Sequence, residues 1–297
     1  MTDTSRAASR TAVLVCQGRA AAQGRLGPGR FDDPMAQRLL DAEELVPVRQ
    51  VREGRPPEGW GPRTAYEQVR ACADLMAART VVIDEAVRAH ANPQVVLLGA
   101  GLDSRAWRMP ELADVDVLEV DHPASQRDKR RRVGDAVPPV RLAYAPVDLA
   151  RDRLADGLAA AGHRAGEPTT WVWEGVVPYL TRAQAADTVR QVAALSAPGS
   201  ALVVNYQAPS LRATVGRRVA GVLAAAGGHR PMTAGEPWRA AWAPRRMAAL
   251  LRSHGFDVVA DGDLSGPAAD LGVPGATTTS LRTGRVAVAV RPGARRG

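Results

Sequence analysis

From residue 95 onward, short apolar runs alternate with stretches of helical spacing, and few folds accept that order. The segments "VVLL" (95–98), "VDVLEV" (115–120), "VRLAYAPV" (140–147), "WVW" (171–173) and "ALVVNY" (201–206) read as five strands. Helical segments lie between most of them, such as 182–195 after the fourth. A strand buried on both faces loses the apolar–polar alternation of a half-exposed one, and a helical crossover makes neighbouring strands parallel. The expectation is an α/β protein with a doubly wound sheet. Two more strands follow, in "GFDVVADGDL" and "GRVAVAVRP". The loop between them is too long for a tight hairpin but suits an antiparallel pair.

Ahead of the sheet, residues 11–40 carry a helical pattern broken by "GRLGPGR". "FDDPMAQRLL" offers Asp33 as an N-cap and Pro34 at the first helical position. "EGRPPEGWGPR" (53–63) reads as a Pro/Gly loop. A helix over 64–91 follows, with Leu75, Met76, Val82, Ile83 and Val87 at helical spacing. The chain divides into an N-terminal helical cap, 1–92, and a sheet domain, 93–297. Roughly fifty residues separate strand five from Gly255 and contain two helical segments, "LRATVGRRVAGVLAAA" and "APRRMAALLRSHG". Part of that excess, about 207–245, reads as an inserted lid over the carboxyl edge of the sheet.

The formal net charge of +8 raises the question of nucleic acid. Nearly all the positive charge is arginine, Lys129 being the only lysine, and aromatics are 4% of the chain, too few for base-stacking platforms. The one dense basic run, "RDKRRR" (127–132), reads as a solvated helix face. Nucleic acid is therefore not the expected partner, although the charge suits an acidic substrate. Cys16 and Cys72 are too few for a disulfide framework. No apolar run suits a membrane span or an export signal, so the expected location is cytoplasmic. No spacing of His, Asp or Glu suggests a metal site.

In an open α/β sheet, ligands sit beyond the carboxyl ends of the strands. Strand one ends in Gly99, Ala100 and Gly101, a turn where the backbone can approach a ligand closely. Strand two ends in Asp121, 22 residues after Gly99, where a carboxylate can accept both ribose hydroxyls. NAD enzymes and S-adenosylmethionine (SAM) enzymes share that spacing. The NAD fingerprint wants a third glycine where this chain has Ser104, and Asp103 would repel a pyrophosphate. SAM has no phosphate, so it fits better. "PVDLA" places Asp148 and Leu149 at the end of strand three, within reach of an adenine; Asp148 equally reads as the N-cap of "LARDRLADGL". "WVWEGVVPYL" places Glu174 at the end of strand four, either to bind an ammonium or as a buried acid at a helix start.

Taken together, "VVLLGAGLDSRAWRM", "LEVDHP", "VDL", "WEGVVPYLT", "FDDPMAQRLL" and "AARTVVIDEAV" resemble the leucine carboxyl methyltransferase family of class I SAM-dependent methyltransferases. The likeness is to its bacterial branch, which includes O-methyltransferases and carboxyl methyltransferases of natural-product pathways, and it extends over roughly residues 11–260. It implies a Rossmann-like, doubly wound, seven-stranded sheet with an N-terminal helical cap and an inserted lid. It also implies that Arg79 salt-bridges the SAM carboxylate and that the Gly99–Ala100–Gly101 turn lies under the methionine part. Asp121 would hold the ribose, and Asp148 with Leu149 would meet the adenine. Glu174 would lie beside the methionine moiety and the substrate entrance, and Arg19 is the nearest match for a further basic contact. By composition alone, Arg79 reads as a surface arginine.

Methyl transfer from a sulfonium is an in-line displacement. A carboxylate acceptor, ionised above a pKa near 4, needs no base, whereas a phenol or alcohol benefits from one. Of the five histidines, His90 and His254 end helices, His163 lies in a loop, His122 is given no role, and His229 alone sits in the insertion. With Tyr179 and Tyr206 near the strand ends, His229 completes the candidate catalytic set. The expected reaction is methyl-ester formation on a small molecule or peptide, with an anionic acceptor and S-adenosylhomocysteine as product. Hydroxyl O-methylation and a non-catalytic SAM-binding module are the alternatives. A base-methylating enzyme is disfavoured because Val176 and Val177 stand before Pro178 and Tyr179, where an amide-binding acceptor is wanted. Arg105, just past the turn, is either an orienting group for the acceptor anion or part of a helix-surface salt bridge.

Overall fold

The computed structural model describes residues 9–149, 151–210, 239–273, 276 and 278–293. Its sheet contains β1 (Gln94–Leu98), β2 (Asp116–Asp121), β3 (Arg141–Pro146), β4 (Thr169–Trp173), β5 (Ala201–Gln207), β6 (Asp257–Asp263) and β7 (Gly284–Val290). The order is β3-β2-β1-β4-β5-β7-β6. All neighbours run parallel up to β5, and β7 is antiparallel to both β5 and β6. The chain leaves β1 toward one edge and returns to build the other, so a crevice opens at the carboxyl ends of β1 and β4.

The period-two alternation of buried strands divides the core into two layers. Val95, Leu97, Val117, Val172, Val203 and Val288 point to one face of the sheet. Val96, Leu98, Leu118, Trp171, Trp173, Leu202 and Val204 point to the other. The first face is covered by α1 (Arg10–Ala22), α2 (Met35–Arg38), α3 (Leu45–Glu53) and α4 (Trp60–His90), whose Cys16, Met35, Val48, Val51, Val69 and Ile83 join that layer. The helices that precede the sheet therefore share a hydrophobic core with it. On the second face lie α7 (Leu154–Ala160), α8 (Arg182–Ala194) and the helix Pro244–Ser253, through Leu154, Leu158, Val189, Met247 and Leu251.

Three expectations are corrected. Helix α4 starts at Trp60, inside the stretch read as a loop. Pro62 is tolerated there because the first-turn N–H groups of a helix have no intrahelical partner to lose. The long β6–β7 connection holds two short helices, Ser265–Asp270 and Thr279–Thr283. The basic run on α6 (Pro123–Val133) is only partly solvated. Lys129 is 1% exposed and ion-paired with Glu119 of β2 at 2.6 Å, and Arg132 reaches Glu44 at 2.6 Å and Asp128 at 2.8 Å. Most of the insertion expected at about 207–245 lies outside the described residues. No helix among them is long and apolar enough to cross a membrane.

Candidate active site

The turn after β1 is built for close approach. Gly99 has φ +67°, a region that side chains rarely enter, and a Cβ there would lie 2.4 Å from Val176 Cγ2. Its N–H donates to the Val120 carbonyl at 2.8 Å, which ties the turn to β2. Asp121 closes β2 and holds the same turn: Oδ2 accepts from Gly101 N and Oδ1 from His122 N, both at 2.6 Å. Each oxygen of an ionised carboxylate has room for about two hydrogen bonds, so both keep capacity for a ligand. Burial pushes the Asp121 carboxyl above its ordinary value, against the pull of those two N–H donors.

These groups border a cavity of about 380 Å³ at the carboxyl ends of the strands, a volume typical of a small-molecule site. Every position expected around a cofactor lines it: Arg19, Arg79, Gly99, Ala100, Gly101, Asp121, Asp148, Leu149 and Glu174. They come from α1, α4 and the ends of β1 to β4. Tyr179 also lines the cavity. Tyr206 does not: its hydroxyl donates to the Asp261 carboxylate at 2.7 Å and accepts from Arg285 Nε at 3.1 Å. Burial and the Asp261 charge push that phenol above its ordinary value. His229 lies outside the described residues.

A buried ion network backs one end of the cavity. Arg79 Nε meets Glu174 Oε1 at 2.7 Å, and Arg105 Nη1 meets Glu174 Oε2 at 2.8 Å. Arg105 also pairs with Asp103, and its Nε reaches Asp84 Oδ1 at 2.8 Å. Arg108 takes the other oxygen of Asp84 at 2.6 Å. Arg19 Nε meets Asp33 Oδ2 at 2.8 Å, its Nη2 donates to the Leu102 carbonyl at 2.6 Å, and Ser104 Oγ donates to Asp33 at 2.7 Å. Four arginines thus face four carboxylates. Burial works against ionisation of Glu174, but Arg79 and Arg105 outweigh it and hold the carboxyl below its ordinary value.

Three single-residue readings change. Arg79 is buried rather than on the surface. Arg105 neither lines the cavity nor lies on the surface, its side chain being 2% exposed. Nor does Asp148 cap a helix side-on: its carbonyl accepts from Arg151 N and Asp152 N in a turn, and α7 starts later, at Leu154. Two features escaped the sequence reading. His122 lines the cavity while its Nδ1 caps α6, accepting from Ala124 N at 3.2 Å; His122 followed by Pro123 was its only signal. Ser9, Thr11, Ala12 and Val15, at the start of α1, form a further wall. Nothing local marks them, because only the packing of α1 on the turn brings them there.

The strand order, with its single reversed strand and the crevice at the switch point, defines the Rossmann-like fold of class I methyltransferases. The chain belongs to the leucine carboxyl methyltransferase family, whose profile matches residues 12–193. A protein of Mycolicibacterium gilvum (strain PYR-GCK), provisionally named an S-adenosyl-L-methionine-dependent methyltransferase, is 37% identical over 202 residues, 66% of this chain and 65% of that protein. A protein of the same provisional name from Mycolicibacterium paratuberculosis (strain ATCC BAA-968 / K-10) is 31% identical over 279 residues, 89% of this chain and 76% of that one. The chain thus spans 65% of the length of the first of these relatives. Two solved structures share the fold at 16% identity. One is a DUF574 family protein from Streptomyces avermitilis MA-4680, with TM-score 0.56 over 93% of this chain and 97% of that chain. The other is a provisionally named methyltransferase from Thermobifida fusca YX, with TM-score 0.54 over 98% and 97%.

Proposed function

We propose that this protein is a SAM-dependent O-methyltransferase that forms a methyl ester on a carboxylate of a small molecule or peptide. The observation that carries the reading is the convergence on one cavity of polar groups in the order SAM requires. Asp121 offers two carboxylate oxygens to a diol, already fixed by Gly101 N and His122 N. Arg79 and Glu174 offer opposite charges side by side, as an amino-acid zwitterion needs. Asp148 and Leu149 form the wall for a purine. A dinucleotide fits poorly, because Asp103 borders the turn where its pyrophosphate would sit and Arg105 keeps that acid ionised against burial. SAM supplies an activated methyl group on a sulfonium. The part of the protein is to hold the acceptor oxygen about 3–3.5 Å from the methyl carbon and in line with it.

Support for a carboxylate acceptor comes from how three of the polar groups near the cavity are already engaged, Tyr179 being the remaining described candidate for a base. Glu174 has an arginine on each oxygen and is held ionised, which makes it a poor base. The Nδ1 of His122 is engaged in its cap, and the Tyr206 hydroxyl is engaged away from the cavity. An acceptor that arrives ionised needs none of them. With a carboxylate acceptor, the rate should stay nearly flat from about pH 6 to 9, since the nucleophile titrates near 4. The product should release methanol under mild base. A rate rising through that range, with a base-stable product, would establish hydroxyl methylation instead. Binding without turnover on any acid or hydroxyl acceptor would leave a SAM-binding module.

The ribose contact has its own test. Asp121→Ala should weaken S-adenosylhomocysteine binding by about 1.5–3 kcal/mol, roughly tenfold to a hundredfold. Asp121→Asn keeps an acceptor for the turn and should fall between the two. Unchanged affinity in titration calorimetry, with a lowered melting temperature, would make Asp121 a prop for the turn only.

A further inference from the structure

We infer that Arg105 is a positioning residue for cofactor binding, acting through Glu174 and Asp103, the two cavity-lining carboxylates that its guanidinium holds. The inference rests on the cofactor reading above. Arg105 opens α5 (Arg105–Arg108), a single turn with too few hydrogen bonds to persist alone. Its side chain joins three segments that meet at the site. Nε anchors it to Asp84 on α4 at 2.8 Å, and Nη1 reaches Glu174 Oε2 beyond β4 at 2.8 Å. Nη1 also pairs with Asp103 in the turn after β1, whose Oδ1 accepts from the Arg105 backbone N–H at 2.8 Å.

The geometry separates this role from plain packing. A buried ion cluster is an expensive way to fill space, and apolar side chains of similar volume are often as stable or more so. Here two of the three acids on Arg105 line the cavity, whereas Asp84 is shared with Arg108 and serves as the anchor. Glu174 is gripped from both sides, Oε1 by Arg79 and Oε2 by Arg105. Its carboxylate plane is thereby fixed, and its charge is kept for a ligand ammonium. The guanidinium reaches Asp84 through Nε while Nη1 holds Asp103 and Glu174, a spread of fixed donors that the single nitrogen of lysine does not reproduce.

The charges facing Glu174 are Arg79 from α4, Arg105 from α5, Asp103 from the turn and Arg19 from α1. Without Arg105, Glu174 keeps Arg79 on Oε1 but loses the cation on Oε2. Its carboxyl then rises, so the charge offered to a ligand ammonium becomes more sensitive to falling pH. The test is titration of S-adenosylhomocysteine against wild type, Arg105→Lys, Asp103→Asn and the double variant Arg105→Met/Asp103→Asn between about pH 5.5 and 7, below the ligand's own amine titration. The double variant removes one charge of each sign, so the network stays balanced and the fold is spared a lone buried acid.

The expected result is affinity lowered about tenfold or more in Arg105→Lys relative to wild type, and in the double variant relative to Asp103→Asn. In the double variant the loss should deepen as pH falls, while wild type stays flat. Matching affinities and flat profiles, whatever happens to the melting temperatures, would reduce Arg105 to a structural residue and leave the cofactor reading standing. Failure of wild type itself to bind would overturn the cofactor reading, and this inference with it.

Discussion

The Arg79→Met variant should lose about 2–5 kcal/mol of S-adenosylhomocysteine affinity, roughly thirtyfold to several thousandfold. Arg79 lies inside the 31-residue helix α4, flanked by buried Ala77, Ala78, Thr80 and Val81. The aliphatic stem of methionine preserves much of that packing. The charge goes, and with it the partner that holds Glu174 Oε1 at 2.7 Å. Two losses combine. The ligand carboxylate is left facing Glu174 with no cation between them, and Glu174 keeps only Arg105 to hold it ionised. Arg79→Lys restores a point charge without the fork and should recover only part of the affinity. Calorimetry on folded variants checks this. A variant that melts lower but binds as wild type does would confine Arg79 to holding α4 against β4.

The strand ends were legible in the sequence because geometry crowds them together. Any chain that alternates buried strands and helices must bring the residues after β1, β2, β3 and β4 to one crevice, so Gly99, Asp121, Asp148 and Glu174 could be picked out before any coordinate was known. The start of β4 was less visible. Thr169 and Thr170 look like loop residues, but they are buried, with Ser200, Gln94 and Asn92 satisfying their polar atoms.

The ion network was not legible. In a chain this rich in arginine, Arg79, Arg105 and Arg108 look no different from solvated ones. Apart from Asp103 beside Arg105, their partners are far off in sequence: Glu174 is 95 residues from Arg79, and Asp84 is 21 from Arg105. Local patterns report which face of a helix is buried, but not which distant acid makes burial of a charge tolerable. Tyr206 failed for a related reason. Proximity to the end of β5 says nothing about which side of the sheet the ring takes, and the hydroxyl turns to Asp261 on β6.

The Lys129→Met variant should be destabilised by about 1–2 kcal/mol near pH 8, because Glu119, buried without its cation, must then hold a proton that the wild-type carboxyl releases through about 7. Lys129 Nζ meets Glu119 Oε2 at 2.6 Å, the two side chains being 1% and 0% exposed, and it also lies 5.2 Å from the centroid of the Trp107 ring. Glu119 Oε1 has no hydrogen-bond partner among the described residues. Burial pushes the Glu119 carboxyl up to about 7 even against the pull of Lys129. A carboxyl whose folded pKa lies above its unfolded one contributes stability that is complete below the unfolded value, near 4.5 here, and is lost as pH rises through about 7. Removing Lys129 moves the folded value further up, so the deficit should be small near pH 5, where Glu119 is protonated, and largest near pH 8. Denaturant unfolding at those two pH values measures it. Glu119→Leu/Lys129→Met removes both charges and should recover most of the loss, with little dependence on pH. Equal destabilisation of the single variant at both pH values would mean that Glu119 does not change its charge across this range, and that the pair serves by shape rather than by charge.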